Sequence, residues 1–217
     1  MRRSFILILA LVVCVPLAAE DLNCGPVSPD ITADVLWKAL QTGNLKYQGG
    51  EIEYTHLKAE REALENKQCP PMIILSCADS RVPPELIFNQ SLGSLFIVRA
   101  AGNVADEFGL ASIEYSISKD WARLIVVLGH ENCGAVEEAM KHTDPPTPSL
   151  VALVDRIRRS FVSGQVSLKQ ATEANARASG AWLTAASPVI RKAVMDGKVK
   201  IIPAYYELKS GKVTAIE

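Results

Sequence analysis

The feature that most constrains this chain is an alternation of short apolar runs with helix-length amphipathic stretches. The runs, rich in isoleucine, valine and leucine, fall at residues 72–77, 95–98, 124–128 and 200–205. A short continuous apolar run reads as a strand buried on both faces, which requires helices on both sides of a sheet. The intervening stretches at 106–119, 134–142, 150–161 and 168–195 predict those helices, the last broken near Ser187-Pro188. The pattern therefore predicts an α/β fold with a mostly parallel central sheet flanked by helices. In the tail 205–216, Ser210-Gly211 separates two alternating segments and predicts a hairpin with an antiparallel C-terminal edge strand. Residues 32–65 predict a rather polar N-terminal helical arm. Its apolar face holds Val35, Leu36, Ala39 and Leu40, and Gly43-Asn44 and Gly49-Gly50 interrupt it.

Composition decides which classes to discard. The 217 residues are 48% hydrophobic and 22% charged, which fits a globular domain and not a disordered chain. Net charge is -1, with no long basic run, so no nucleic-acid partner is expected. At the amino end, Arg2 and Arg3 precede an unbroken apolar run over residues 5–15, and small residues follow before Glu20. That layout predicts a secretory signal peptide over residues 1–19 and a mature domain over 20–217, exported to a periplasmic or secreted location. The run is too short to span a bilayer comfortably, so no stable membrane span is expected once the signal is removed. Export makes disulfides possible. Cys24 and Cys69 are either free thiols or a disulfide tethering the arm, worth about 4 kcal/mol on a loop-entropy basis.

Two motifs carry the chemistry. Cys77-Ala78-Asp79-Ser80-Arg81 begins where the first predicted strand ends, and His130-Glu131-Asn132-Cys133 follows the third. Sites on such sheets gather beyond the carboxyl ends of the strands. His-x-x-Cys on a tight turn lets both side chains converge, and a strand-end cysteine can reach the same point. Two thiolates and an imidazole suit zinc, and three ligands leave a fourth position open for catalysis. Asp79 can either bind the metal or pair bidentately with Arg81.

Taken together, Cys-x-Asp-x-Arg and His-x-x-Cys, with 52 residues between Cys77 and His130, resemble the beta class of carbonic anhydrases. Gly43-Asn44, Arg99-Ala100-Ala101-Gly102-Asn103, Ser112-Ile113-Glu114-Tyr115 and Tyr206 with Gly211-Lys212-Val213 resemble that family in the same order. The resemblance implies that Cys77, His130 and Cys133 hold one Zn2+ per subunit and that Asp79 and Arg81 form a catalytic dyad. The implied reaction is reversible hydration of carbon dioxide to bicarbonate and a proton, by zinc-bound hydroxide that the dyad orients. Gln68, Phe96 and Tyr115 are implied to line the carbon dioxide pocket, partly from a neighbouring subunit. A homodimer or dimer of dimers is implied. Some family members close the fourth position with this Asp at low pH, alongside a bicarbonate site of Trp, Arg and Tyr. Arg99 and Tyr206 match that site, but Ile74 stands in place of the Trp, which argues against the bicarbonate-regulated form. Two other readings use the same residues: hydrolysis of carbonyl sulfide or carbon disulfide, and a non-catalytic zinc-binding or sensor domain.

Overall fold

The computed structural model describes residues 31–217 apart from 53, 142, 144, 163 and 165. The predicted signal peptide and Cys24 lie outside the described residues. Four parallel strands, β1 (Met72–Ser76), β2 (Leu95–Arg99), β3 (Leu124–His130) and β4 (Lys200–Tyr206), are joined by β5 (Val213–Ala215), which pairs antiparallel with β4. Their order is β2-β1-β3-β4-β5, so the predicted mostly parallel sheet and antiparallel edge strand are both present. Every residue of β1 and β3 is buried, because these strands lie inside the sheet with side chains covered on both faces.

Side chains alternate between two cores. On one face, Ile74, Val126, Leu128 and Ile202 pack against Leu36 and Leu40 of α1 (Ala33–Gln48) and Ile87 of α3 (Pro84–Ile87). On the other, Ile73, Leu75, Ile125 and Val127 pack against Ile113 of α4 (Glu107–Ser118). Ala176 and Leu183 of α7 (Leu168–Ala186) and Ile190 of α8 (Pro188–Met195) complete that face. Each fully buried leucine or isoleucine contributes about 1.5–3 kcal/mol. The predicted break near Ser187-Pro188 is real. Ser187 ends α7, its hydroxyl accepts from the Ile190 N–H to start α8, and Pro188 sits where no backbone donor is needed.

The remaining helices are α2 (Leu57–Leu64), α5 (Gly134–Met140) and α6 (Pro148–Arg158). α5 stops at Met140, short of the expected 142, a position outside the described residues. No described helix is long and apolar enough to cross a membrane.

The arm corrects one expectation. α1 runs unbroken through Gly43-Asn44 and ends only at Gly49, and its buried face is Leu36, Leu40, Gly43 and Asn44, while Val35 and Ala39 are exposed. Gly43 is there for close approach: a Cβ would sit 1.8 Å from the Phe88 carbonyl oxygen. Asn44 donates to the carbonyls of Ile87 and Gly211 and accepts from the Val213 N–H, fastening the arm to the hairpin.

Cys69 is disulfide-bonded, whereas Cys77 and Cys133 are free thiols.

Candidate metal centre

β1 and β3 are neighbours, with Ser76 level with Leu128. The residue after β1 is Cys77 and the last of β3 is His130, so the carboxyl ends of adjacent strands aim both into one space. Asn132, in the left-handed region at φ 52°, turns the chain sharply so that Cys133 returns to that space just ahead of α5. The ligand atoms of Cys77, His130 and Cys133 all lie within 4.8 Å of one another, and all three residues are buried. The His130 Nδ1–H donates to the Glu131 carbonyl at 2.9 Å, which leaves Nε2 as the bare acceptor. That Nε2 is buried and has no hydrogen-bond partner among the described residues. An orphaned buried acceptor beside two free thiols is costly unless a Lewis acid occupies the space between them. The donor set and geometry fit zinc.

Asp79 and Arg81 stand at the mouth of this cluster. Arg81 Nε donates to Asp79 Oδ1 at 2.9 Å and Nη2 to Oδ2 at 2.7 Å, and the Arg81 backbone N–H adds a third bond to Oδ1. Arg81 Nη2 also reaches the Asn132 carbonyl, linking the pair to the His-Cys turn. Asp79 Oδ2 lies 4.0 Å from His130 Nε2.

The family model described as "Carbonic anhydrase" matches residues 72–213, which spans both motifs and the four parallel strands. The chain belongs to the carbonic anhydrase family. It is 34% identical to the carbonic anhydrase of Mycolicibacterium smegmatis over 193 residues, covering 85% of this chain and 94% of that protein. It is 33% identical to carbonic anhydrase 2 of Mycobacterium tuberculosis over 192 residues, covering 85% and 93%. Its fold is that of the beta class. A tetrameric beta-carbonic anhydrase from Sordaria macrospora superposes with a TM-score of 0.65 at 19% identity, covering 84% of this chain and 97% of that one. The Coccomyxa beta-carbonic anhydrase, solved with acetazolamide, gives 0.64 at 22%, covering 87% and 85%.

Electrostatics in this carbonic anhydrase fold follow from the contacts. The hydrogen bonds from Arg81 hold the Asp79 carboxyl well below the usual carboxylate range, so it is an ionised acceptor. The hydrogen bond shared with Cys133 pulls the Cys77 thiol down, with help from His130. The same bond, together with burial, pushes Cys133 up. One thiolate is easily formed and a second beside it is opposed, until a dication relieves the repulsion.

The other family residues lie elsewhere. Phe96 is level with Ile73 in the sheet, four residues before Cys77, which puts it about 13 Å from the ligand end. Gln68 is exposed ahead of β1, on the far side of the same strand. Tyr115 is 48% exposed on α4, its ring edge-on to Trp121 at 5.4 Å and under the Lys119 ammonium. One chain does not bring these three to its own metal ligands. Ile74 is fully buried in the core, and the Tyr206 hydroxyl pairs with that of Tyr47 at 3.1 Å.

Nothing in the sequence pattern assigns a role to Gly102, Asn175 or the Glu131 side chain. The Gly102 N–H donates to Cys77 Sγ at 3.3 Å, and Asn175 Nδ2 fixes the Gly102 carbonyl at 2.7 Å. Glu131 is clamped by its N–H to the Tyr206 carbonyl and by Oε2 accepting from the Leu208 N–H. Such supports orient the ligands. The string Arg99–Asn103 marked the right segment, but contact with a sulfur 25 residues away is visible only in the folded chain.

Proposed function

We propose that this chain is a zinc-dependent carbonic anhydrase that interconverts carbon dioxide and bicarbonate with release of a proton. The observation that carries this reading is the bidentate Asp79–Arg81 pair 4.0 Å from the ligand cluster. A purely structural zinc site needs no acceptor poised beside it. Cys77, His130 and Cys133 hold the metal, and their number leaves a fourth position open. Zinc held there would act as a Lewis acid, making water at the open position more acidic and more nucleophilic.

The chain's own residues do the rest. Asp79, ionised and acceptor-only, would accept a hydrogen bond from the reacting water at Oδ2 and so turn its lone pair toward carbon. Arg81 keeps that carboxylate in place. Closing the fourth position with Asp79 would require it to give up three hydrogen bonds from Arg81, so the open arrangement is the resting one. The buried Ile74 and the Tyr47–Tyr206 pair favour an enzyme without the bicarbonate-regulated form.

Gln68, Phe96 and Tyr115 belong, in this reading, to the carbon dioxide pocket of a second copy, in a homodimer or dimer of dimers. Their distance from the ligands of their own chain supports this, as does the exposed apolar surface of Phe108 and Tyr115 on α4. Export to the periplasm or beyond, after loss of residues 1–19, is also part of the reading. The disulfide at Cys69, for which Cys24 is the partner we propose, fits an oxidising compartment.

Stopped-flow hydration of carbon dioxide, with metal analysis, on wild type and Asp79→Asn tests the activity. Wild type carrying one zinc per chain should exceed the buffer rate, and Asp79→Asn should lose about a hundredfold with zinc retained. A zinc-loaded wild type at the buffer rate, or one turning over only carbonyl sulfide, would overturn the reading.

A further inference from the structure

The loop from Cys77 to Arg81 carries a metal ligand and the acceptor, yet it lies beyond the end of β1. There the sheet can no longer hold it. The parallel ladder continues one step past the strands, with the Ala100 N–H donating to the Ser76 carbonyl and the Ala78 N–H to that of Ala100. After that the chain turns away, and the carbonyls of Cys77 and Asp79 have no strand opposite them.

Arg99, the last residue of β2, supplies what the ladder does not. It lies level with Ser76, so its side chain projects along the loop. Nε donates to the Cys77 carbonyl at 3.0 Å, and Nη2 donates to the Asp79 carbonyl at 2.6 Å. One planar fork thus spans the main chain on both sides of Ala78. We propose that Arg99 is a positioning residue for the hydration reaction, setting the Cys77 sulfur and the Asp79 carboxylate relative to His130 through their backbone.

Arg81 and Arg99 divide the task. Arg81 holds the Asp79 carboxylate from the side-chain end, while Arg99 fixes the main chain from which that carboxylate hangs. The Asp79 carbonyl also accepts from the Val82 N–H, so the turn is closed at its far side as well. Arg99 touches neither the ligand atoms nor the acceptor oxygens. A lysine is a point donor and cannot span two carbonyls two residues apart, so it restores only part of the arrangement.

This inference rests on the proposed activity, and the experiment separates the two. Arg99→Gln and Arg99→Lys are loaded with zinc for kinetics and, in parallel, with cobalt(II) for visible absorption, which reports ligand geometry without turnover. In Arg99→Gln, kcat per bound zinc should fall about ten- to a hundredfold, with KM for carbon dioxide little changed. Its cobalt bands should shift from those of the wild type, and Arg99→Lys should fall between the two by both measures. Should Arg99→Gln fail to fold, Arg99→Lys carries the same reading alone. Wild-type kcat per bound metal together with a wild-type cobalt spectrum would overturn the proposal, as would loss of bicarbonate sensitivity alone. If the wild type itself shows no hydration, the activity fails and the cobalt spectra still decide the role of Arg99.

Discussion

The metal-binding end of the sheet and its β2 flank are built to different standards of completeness. At the carboxyl end, groups of the same chain support the ligands: Gly102 for Cys77, Glu131 for His130, Arg81 and Arg99 for the loop. Beneath the cysteines, Val104, Val136, Val154 and Ile157 form a dry floor. The β2 flank looks different. β2 is only half-buried along its length and ends the sheet, α2 buries no residue, and Phe108 on α4 is 79% exposed. An open edge strand beside apolar surface is a liability unless something covers it. The contrast teaches that one chain gathers the metal ligands and their supports by itself, whereas the substrate pocket and the β2 flank are where the proposed second copy would contribute.

The largest effect expected is at the complete end. Cys133→Ala should reduce bound zinc from about one per chain to near none and hydration to the buffer rate, as read by metal analysis and stopped flow. Stoichiometric zinc with full activity in that variant would break the claim that one chain builds the centre. On the β2 flank, Phe108→Asp should shift sedimentation toward monomer and lower kcat/KM about tenfold, about 1.4 kcal/mol, with zinc retained. A fully active monomer would show instead that the pocket is complete in one chain.

The smallest effect sharpens how the acceptor is held. The Asp79 carboxyl titrates lower in the folded chain than in the unfolded one because of Arg81. Its stabilisation is therefore fully present above the ordinary carboxylate pKa of about 4 and is lost as pH falls below it. Thermal melts should show wild type exceeding Asp79→Asn by a constant small margin above about pH 5, the margin shrinking in more acidic buffer. A margin that grows on acidification would mean that Arg81 does not hold the charge.

Much of this was legible beforehand. The alternation of apolar runs and amphipathic stretches dictated the sheet, because a strand with no polar face can be satisfied only between two layers of helices. The ligands were legible because few residue types bind zinc and their positions at strand ends converge in any parallel sheet. The arm was read less well. Gly43-Asn44 resembles an interruption, yet α1 passes through it, since Gly43 lets the helix touch the Phe88 carbonyl and Asn44 bonds three distant backbone groups. Local propensity names a breaker there, and tertiary contact overrules it.

By itself, then, the sequence determined the α/β architecture, the antiparallel edge, the three candidate ligands and the two alternatives for Asp79, because each follows from local pattern or from the chemistry of adjacent residues. Only the tertiary structure decided that His130 presents Nε2, that Gly102 supports the Cys77 sulfur, that Arg99 bridges two loop carbonyls, and that Phe96 stands four residues back from its own metal ligands. Those are matters of register and direction between segments far apart in the chain. Strand pairing and packing fix them, and no local pattern encodes them.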